Sequence, residues 1–439
     1  VKQHRNALRE IIARHKSGEP VGIFSVCSAN PTVIETSIEF AMKKEIPLLI
    51  EATCNQVNQY GGYTGMTPQQ FADFVWELAG KYGLPRENIT LGGDHLGPYP
   101  WRDEPVQAAM KKSGQMIHDY VHAGYKKIHL DASMKCADDD PDQPLDVRTS
   151  AARTAELCAI AEEAAGQTGM SDEIVYVIGT EVPRPGGIQM EEDEVQVTLV
   201  PDVRSTIEST KEAFYSMGLE RGWERVIAVV VQPGVEFGDN LISNYKRDRA
   251  KQLSDFIESY KQLVFEAHST DYQTPKALKQ LVEDHFVILK VGPELTFAYR
   301  EAIFALESIE IELLSARKDI QLSNLRKVID VAMLENPVHW QDYYGGTTSE
   351  QAFARKYSFS DRIRYYWPNP KVKMALRKLF DNLRGLDIPA PLLGEYFPVQ
   401  YQKILQHSLT KNPTSLIEDK IKEVLEKYAD AVQPNKIFS

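Results

Sequence analysis

Ile89-Thr90-Leu91-Gly92-Gly93-Asp94-His95 is a short apolar run that ends in two residues able to bind a metal or move a proton. Three other stretches end the same way. Lys127-Ile128-His129-Leu130 runs into Asp131, Val175-Tyr176-Val177-Ile178-Gly179-Thr180 into Glu181, and Leu263-Val264-Phe265-Glu266-Ala267 into His268. A parallel barrel places chemistry at the C-terminal ends of several buried strands, so one site drawn from residues far apart in sequence is the reading that joins these stretches.

Eight such runs can be counted: 21–26, 47–52, 89–93, 126–131, 174–181, 225–231, 262–267 and 286–291. They are continuous rather than alternating, as expected for parallel strands covered on both faces. Helical patterns lie between them, at Pro31 to Lys44, Thr67 to Lys81, Glu104 to Ala123, Val147 to Gly166, Ser205 to Gly218, Asn244 to Tyr260 and Pro275 to His285. Eight β-then-α units favour an α/β fold of the (β/α)8 TIM-barrel type. A doubly wound open sheet is the alternative, but no GxGxxG loop follows the first run. Beyond about residue 297 the strand signals stop, and Phe297 to Arg317, Leu322 to Glu335, Lys371 to Asn382 and Ser415 to Tyr428 read as helices. The expected division is a barrel over 1–310 and a helical C-terminal extension over 311–439.

The composition excludes several classes. A net charge of −12 argues against nucleic acid as a partner, because phosphate binding needs a basic footprint. No apolar stretch approaches the ~20 residues that span a bilayer, so no membrane association is expected and a cytoplasmic location follows as the default. Cys27, Cys54, Cys136 and Cys158 form no CxxC pair, which speaks against structural zinc, and reduced thiols are expected. There is no GxxxxGK[ST] phosphate loop and no GxSxG elbow. Lys290 is the one lysine placed for Schiff-base chemistry.

Within the strand ends, an adjacent Asp94-His95 suits a metal-binding imidazole beside a proton-transfer carboxylate. His268 supplies a second imidazole. Glu181, fixed before the stiff Pro183–Gly187 loop, is the expected third ligand. Two histidines and one carboxylate hold Zn, Mn or Fe in many catalytic sites. Asp131 is read as an acid/base, a substrate binder or a part of the metal shell. Gln232 is read as a hydroxyl binder, with Ser25, Glu51, Asn55 and Asp271 around the same mouth and Glu236 a further carboxylate there. Glu266 and His129 are placed one layer deeper, His129 as a satisfied core residue.

Longer motifs carry a resemblance. VGIFSVCSANP, IEATCNQVNQYGGYTGMTP, LGGDHLGP, KIHLDASM, YVIGTEVPRPGG, VVVQPGVEF, FEAHSTDYQT, LKVGPELTFAYREAIFAL and YSFSDRIRYYWP together resemble the tagatose-bisphosphate aldolase non-catalytic-subunit family, from about residue 8 to 430. The resemblance implies a class II aldolase-like barrel. It assigns proton transfer to Asp94 and metal binding to His95 and His268. Where those aldolases place a further histidine ligand, this chain has Gln232, and Glu181 is expected to replace it. HSTDY stands where a Gly-rich phosphate loop is usual, which favours one phosphate or none. Members of the family have been labelled tagatose-6-phosphate kinases and aldolase accessory subunits, and some are 4-epimerases.

The expectation drawn from these points is a metal-dependent ketohexose 4-epimerase, acting on fructose and tagatose or their 6-phosphates with Zn, Mn, Ni or Co. It would break and re-form C3–C4, because the C4 proton is not acidic. Asp94 serves one face of the aldehyde and Asp131 or Glu236 the other. The alternative is an accessory subunit stabilising a class II tagatose-1,6-bisphosphate aldolase. A homo-oligomer is expected, and an aldolase subunit is a candidate partner. The aromatic, basic YSFSDRIRYYWP stretch is placed either over the site or as helix packing against the barrel.

Overall fold

The computed structural model describes residues 6–179 and 195–432. Its strands are β1 (Ile23–Val26), β2 (Leu48–Thr53), β3 (Ile89–Leu96), β4 (Lys127–Leu130), β5 (Val175–Ile178), β6 (Val226–Val230), β7 (Glu236–Phe237), β8 (Ile242–Ser243), β9 (Val264–Ala267) and β10 (Phe286–Val291). Eight of them close a parallel barrel in the order β1-β2-β3-β4-β5-β6-β9-β10, with β10 paired back to β1. Nearly every residue of these eight strands is buried, which is why their sequence is apolar without alternation. The remaining pair, β7 and β8, is a small antiparallel hairpin inserted after β6, too short to leave a sequence signal.

The helices of the first half are α1 (Ala7–Lys16), α2 (Pro31–Lys44), α3 (Pro68–Tyr82), α4 (Val106–His122), α5 (Val147–Thr168), α6 (Val200–Ser216), α7 (Glu220–Trp223), α8 (Arg247–Ile257) and α9 (Pro275–Glu283). Their starts follow from local chemistry. The Asn30 side chain accepts from Thr32 N and Val33 N ahead of Pro31, and Thr67 and Gln70 form a reciprocal capping box. Asp146 caps α5 and Thr274 caps α9 in the same manner.

The second half contains α10 (Pro293–Leu314), α11 (Leu325–Glu335), α12 (Thr348–Tyr357), α13 (Pro370–Leu383), α14 (Ala390–Tyr396), α15 (Pro398–Leu405) and α16 (Pro413–Val432). The expected boundary at 310 falls inside α10. The last helix returns to the barrel: α16 packs on α2, α9, α10 and β1 and fills the outer ring between α9 and α2. Gly22 N donates to Val432 O at 3.0 Å, and Tyr428 Oη donates to Thr270 O at 2.7 Å. No helix among the described residues is long and apolar enough to cross a membrane. All four cysteines are free thiols.

Candidate functional site

The end of β3 sets the geometry. β3 and β4 are in register at Gly93↔Ile128 and again at Leu96↔Leu130, so Asp94 and His95 together stand opposite His129. This is a β-bulge, a device common beside active sites. It resolves a conflict in the strand pattern, where neighbours should face opposite ways. His95 adopts φ +52°, in the left-handed region, and turns its ring toward the same mouth as Asp94. The two glycines before it make room. A Cβ on Gly92 would lie 2.7 Å from Glu51 Cγ, so the group that approaches closely there is a side chain of β2.

Around the bulge lies a buried network of charges. Asp94 Oδ1 accepts from His129 Nδ1 at 2.8 Å and from Lys290 Nζ at 2.7 Å. Lys290 Nζ also reaches Glu51 Oε2 at 2.7 Å and Glu266 Oε1 at 3.6 Å. One layer below, Lys127 Nζ bridges Glu51 Oε2 at 2.8 Å and Glu266 Oε2 at 2.7 Å, with its side chain fully buried. His95 Nδ1 bonds Asp131 Oδ2 at 2.8 Å, and His268 Nε2 bonds Glu266 Oε1 at 2.9 Å. The rings of His95, His129 and His268 converge with centroids 4.9 to 5.4 Å apart.

These contacts shift the ionisations. Burial opposes charge on Asp94, yet His95, Lys290 and the His129 bond outweigh it and hold the carboxyl well below its usual range. Glu266 is held low in the same way, by Lys127 and Lys290 against burial. Burial also works against a charged His95, but Asp94 and Asp131 overcome it and raise that imidazole. His268 goes the other way, pushed down to about 3, chiefly by burial.

The remaining sequence candidates take varied places. Asp131 uses both oxygens structurally, Oδ2 on His95 and Oδ1 accepting from Ser133 N and Oγ, so it positions His95. Ser25 Oγ donates to Glu51 Oε1 at 2.8 Å, and both belong to the buried layer rather than the cavity wall. Asn55 lines the cavity. Gln232 Oε1 accepts from Gly234 N and Val235 N, so the group expected to bind a hydroxyl caps its own turn. Glu236 sits in β7, its Oε1 accepting from Phe237 N, and burial raises its carboxyl to about 7. Asp271 lines the cavity, accepts from Gly292 N and Glu294 N, and is likewise raised to about 7 by burial and by Glu294. Glu181 lies outside the described residues.

A divalent cation fits the donors at the barrel mouth. Asp94, His129, Glu266 and His268 each place a possible ligand atom within 4.8 Å of the others. Among the described residues, Nε2 of the fully buried His129 has no hydrogen-bond partner. A metal bound there would supply Lewis-acid polarisation of an oxygen ligand. Over the opening, Arg364 and Tyr365 of the YSFSDRIRYYWP stretch line the cavity from this same chain, with Tyr63 packed 4.7 Å from the Tyr365 ring.

Residues 8–433 match the family described as D-tagatose-1,6-bisphosphate aldolase subunit GatZ/KbaZ-like. The chain belongs to the GatZ/KbaZ-like family. It is 51% identical over 421 residues to the D-tagatose-1,6-bisphosphate aldolase subunit GatZ of Klebsiella pneumoniae, covering 96% of this chain and 98% of the relative. The GatZ protein of Salmonella paratyphi B is 50% identical over 428 residues, 98% of this chain and all of the relative. A crystal structure described as a probable tagatose 6 phosphate kinase from Sinorhizobium meliloti superposes with a TM-score of 0.84 at 44% identity, over 93% of this chain and all of that one.

These similarities overturn the expectation of a ketohexose 4-epimerase. The two relatives that share half the residues of this GatZ/KbaZ-like chain from end to end are named as aldolase subunits, not as isomerases. Asp94, read in the sequence as the proton-transfer residue, has Lys290 and His129 at its Oδ1. The sequence placed His129 and Glu266 one layer deeper and did not single out Lys127, and the structure brings all three into the charged network around Asp94. For His129 the available signal was strand alternation, which puts it on the same face as Asp131. Lys127 gave none, because its partners come from β2 and β9.

Proposed function

We propose that this chain is an accessory subunit of a class II tagatose-1,6-bisphosphate aldolase, using its barrel to stabilise a separate catalytic chain. The observation that carries the reading is the state of Asp94. An aldol centre needs a carboxylate free to take a hydroxyl proton, with basicity near the working pH. Here the carboxyl is pinned by an ammonium and an imidazole and held far below that range. Gln232, at the position of an aldolase ligand, spends its oxygen on a turn. The names of the whole-length relatives support the same conclusion.

A divalent cation at the barrel mouth is part of this reading, and charge supports it. Glu51, Asp94, Asp131 and Glu266 face the ammonium groups of Lys127 and Lys290, with His95 able to add one more positive charge. The cluster stays net negative, which favours a cation in a buried site. Four free thiols accord with a cytoplasmic location.

The test is reconstitution. The purified chain is assayed for cleavage of tagatose 1,6-bisphosphate alone, and then with a class II tagatose-bisphosphate aldolase chain. The expected result is no turnover alone, with a longer thermal half-life and higher activity of the catalytic chain in the mixture. Turnover by this chain alone, or a catalytic chain indifferent to it, would overturn the proposal.

A further inference from the structure

We infer that His129 is a metal ligand, binding a divalent cation through Nε2 together with Asp94, Glu266 and His268. This rests on the cation proposed at the barrel mouth and names its ligands, and it is independent of the accessory-subunit role. The family resemblance places the ligands on His95 and His268, whereas the geometry favours a different imidazole. His129 Nδ1 lies 2.8 Å from Asp94 Oδ1, which Lys290 Nζ also contacts at 2.7 Å. The His95 backbone N–H also approaches His129 Nδ1, at 3.2 Å, but the shorter 2.8 Å contact with an ionised carboxylate is the stronger one and places the proton on Nδ1. Nε2 then presents a lone pair, and among the described residues nothing meets it. A carboxylate that orients an imidazole through one nitrogen while the other faces a metal is the usual support for a histidine ligand.

His95 is differently placed. Its Nδ1 is held by Asp131 Oδ2 at 2.8 Å, and its Nε2 faces Asp94 Oδ2 at 3.6 Å. It lies outside the group of four residues whose donor atoms all fall within 4.8 Å of one another. The bulge in β3 turns His95 inward beside the cluster, whereas His129 faces the barrel interior by the ordinary alternation it shares with Lys127. Two imidazoles and two carboxylates suit Zn, Mn, Fe or Co rather than Mg or Ca.

The experiment uses the full chain, stripped with a chelator and titrated with Co(II), whose visible absorption reports coordinating nitrogen and oxygen. Wild-type protein should take up one Co(II). His129→Gln should weaken uptake by about 100-fold or more, since even losing a residue that only supports a ligand costs ~10–100-fold. His95→Gln should weaken it by less than about ten-fold. Native affinity in His129→Gln, a loss in His95→Gln as large as that in His129→Gln, or no Co(II) uptake by wild type would overturn the inference. Should His129→Gln fail to fold, wild-type protein carrying 15N-histidine decides it. Zinc must then shift the Nε2 resonance of His129, and an unmoved resonance refutes the assignment. Because uptake is read on this chain alone, its failure is distinct from a failure to stimulate a partner aldolase.

Discussion

Lys127 offers the sharpest test of the charge network, because its ammonium is fully buried and has two carboxylate partners. Its Nζ lies 2.8 Å from Glu51 Oε2 and 2.7 Å from Glu266 Oε2. In Lys127→Met, Glu51 keeps Lys290 at 2.7 Å and the Ser25 hydroxyl at 2.8 Å. Glu266 is left worse off, with His268 at 2.9 Å and Lys290 only at 3.6 Å. Breaking one side of a buried ion pair costs about 3–5 kcal/mol. The partners that remain argue for the lower end, about 3 kcal/mol. Equilibrium urea unfolding at pH 7 would read it. Adding Glu266→Gln should return on the order of 1–2 kcal/mol, because the uncompensated charge is then gone. The pH dependence has a definite sign. Glu266 is held below its unfolded value, so its contribution is present above the unfolded pKa and fades as the pH falls toward the folded one. Lys127 is raised, so its share is present below its unfolded pKa and is lost as the pH climbs through the folded one. The gap between wild type and Lys127→Met should therefore be widest near neutrality and shrink in acid. A loss under about 1 kcal/mol, or additive effects in the double variant, would refute the network as a cooperative unit.

Glu236→Gln should stabilise the protein at pH 8 by on the order of 2–3 kcal/mol and leave it unchanged near pH 4, because burial raises the Glu236 carboxyl to about 7 and its stability contribution is lost as pH rises through that value. Thermal melts across pH 4–8 would check this, and a constant offset would count against it. Gly97→Ala places a Cβ 1.7 Å from the Asp131 carbonyl oxygen, so β3 and β4 must separate where Asp131 meets His95. The expected outcome is insoluble protein or a loss above about 4 kcal/mol by urea titration. Normal stability would show that the two strand ends are not held as described.

The strands and their order were legible because a barrel strand has two buried faces, and only β-branched and apolar residues fill both. Val175-Tyr176-Val177-Ile178 is such a run, and the helix starts at Pro31, Thr67 and Pro275 were legible from capping chemistry that acts within four residues. What failed to show was anything requiring two distant strands at once. Lys127 opens β4 and reads as a polar strand edge. It is core because Glu51 of β2 and Glu266 of β9 both aim at it. The return of α16 to close the helical ring was hidden for the same reason, since its amphipathic pattern names no docking face.

The site shows the same division at higher resolution. The strand-end residues Asp94, His95 and His268 converge, with the two histidine rings 4.9 Å apart. Residue type, however, does not report whether a group is free to act. Asp94 looks like a base in sequence, and nothing local announces that His95, Lys290 from β10 and His129 from β4 together hold its carboxyl low. A one-residue bulge in β3 turns His95 to the same mouth as Asp94, while Nε2 of His129 has no hydrogen-bond partner among the described residues. Lys290 is the one permanent cation among the groups that hold Asp94 low. On that argument Lys290→Met should raise the Asp94 pKa toward the ordinary carboxylate range. If the carboxyl stayed depressed, observed by 13C NMR of labelled aspartate, Lys290 would not be the group that holds it.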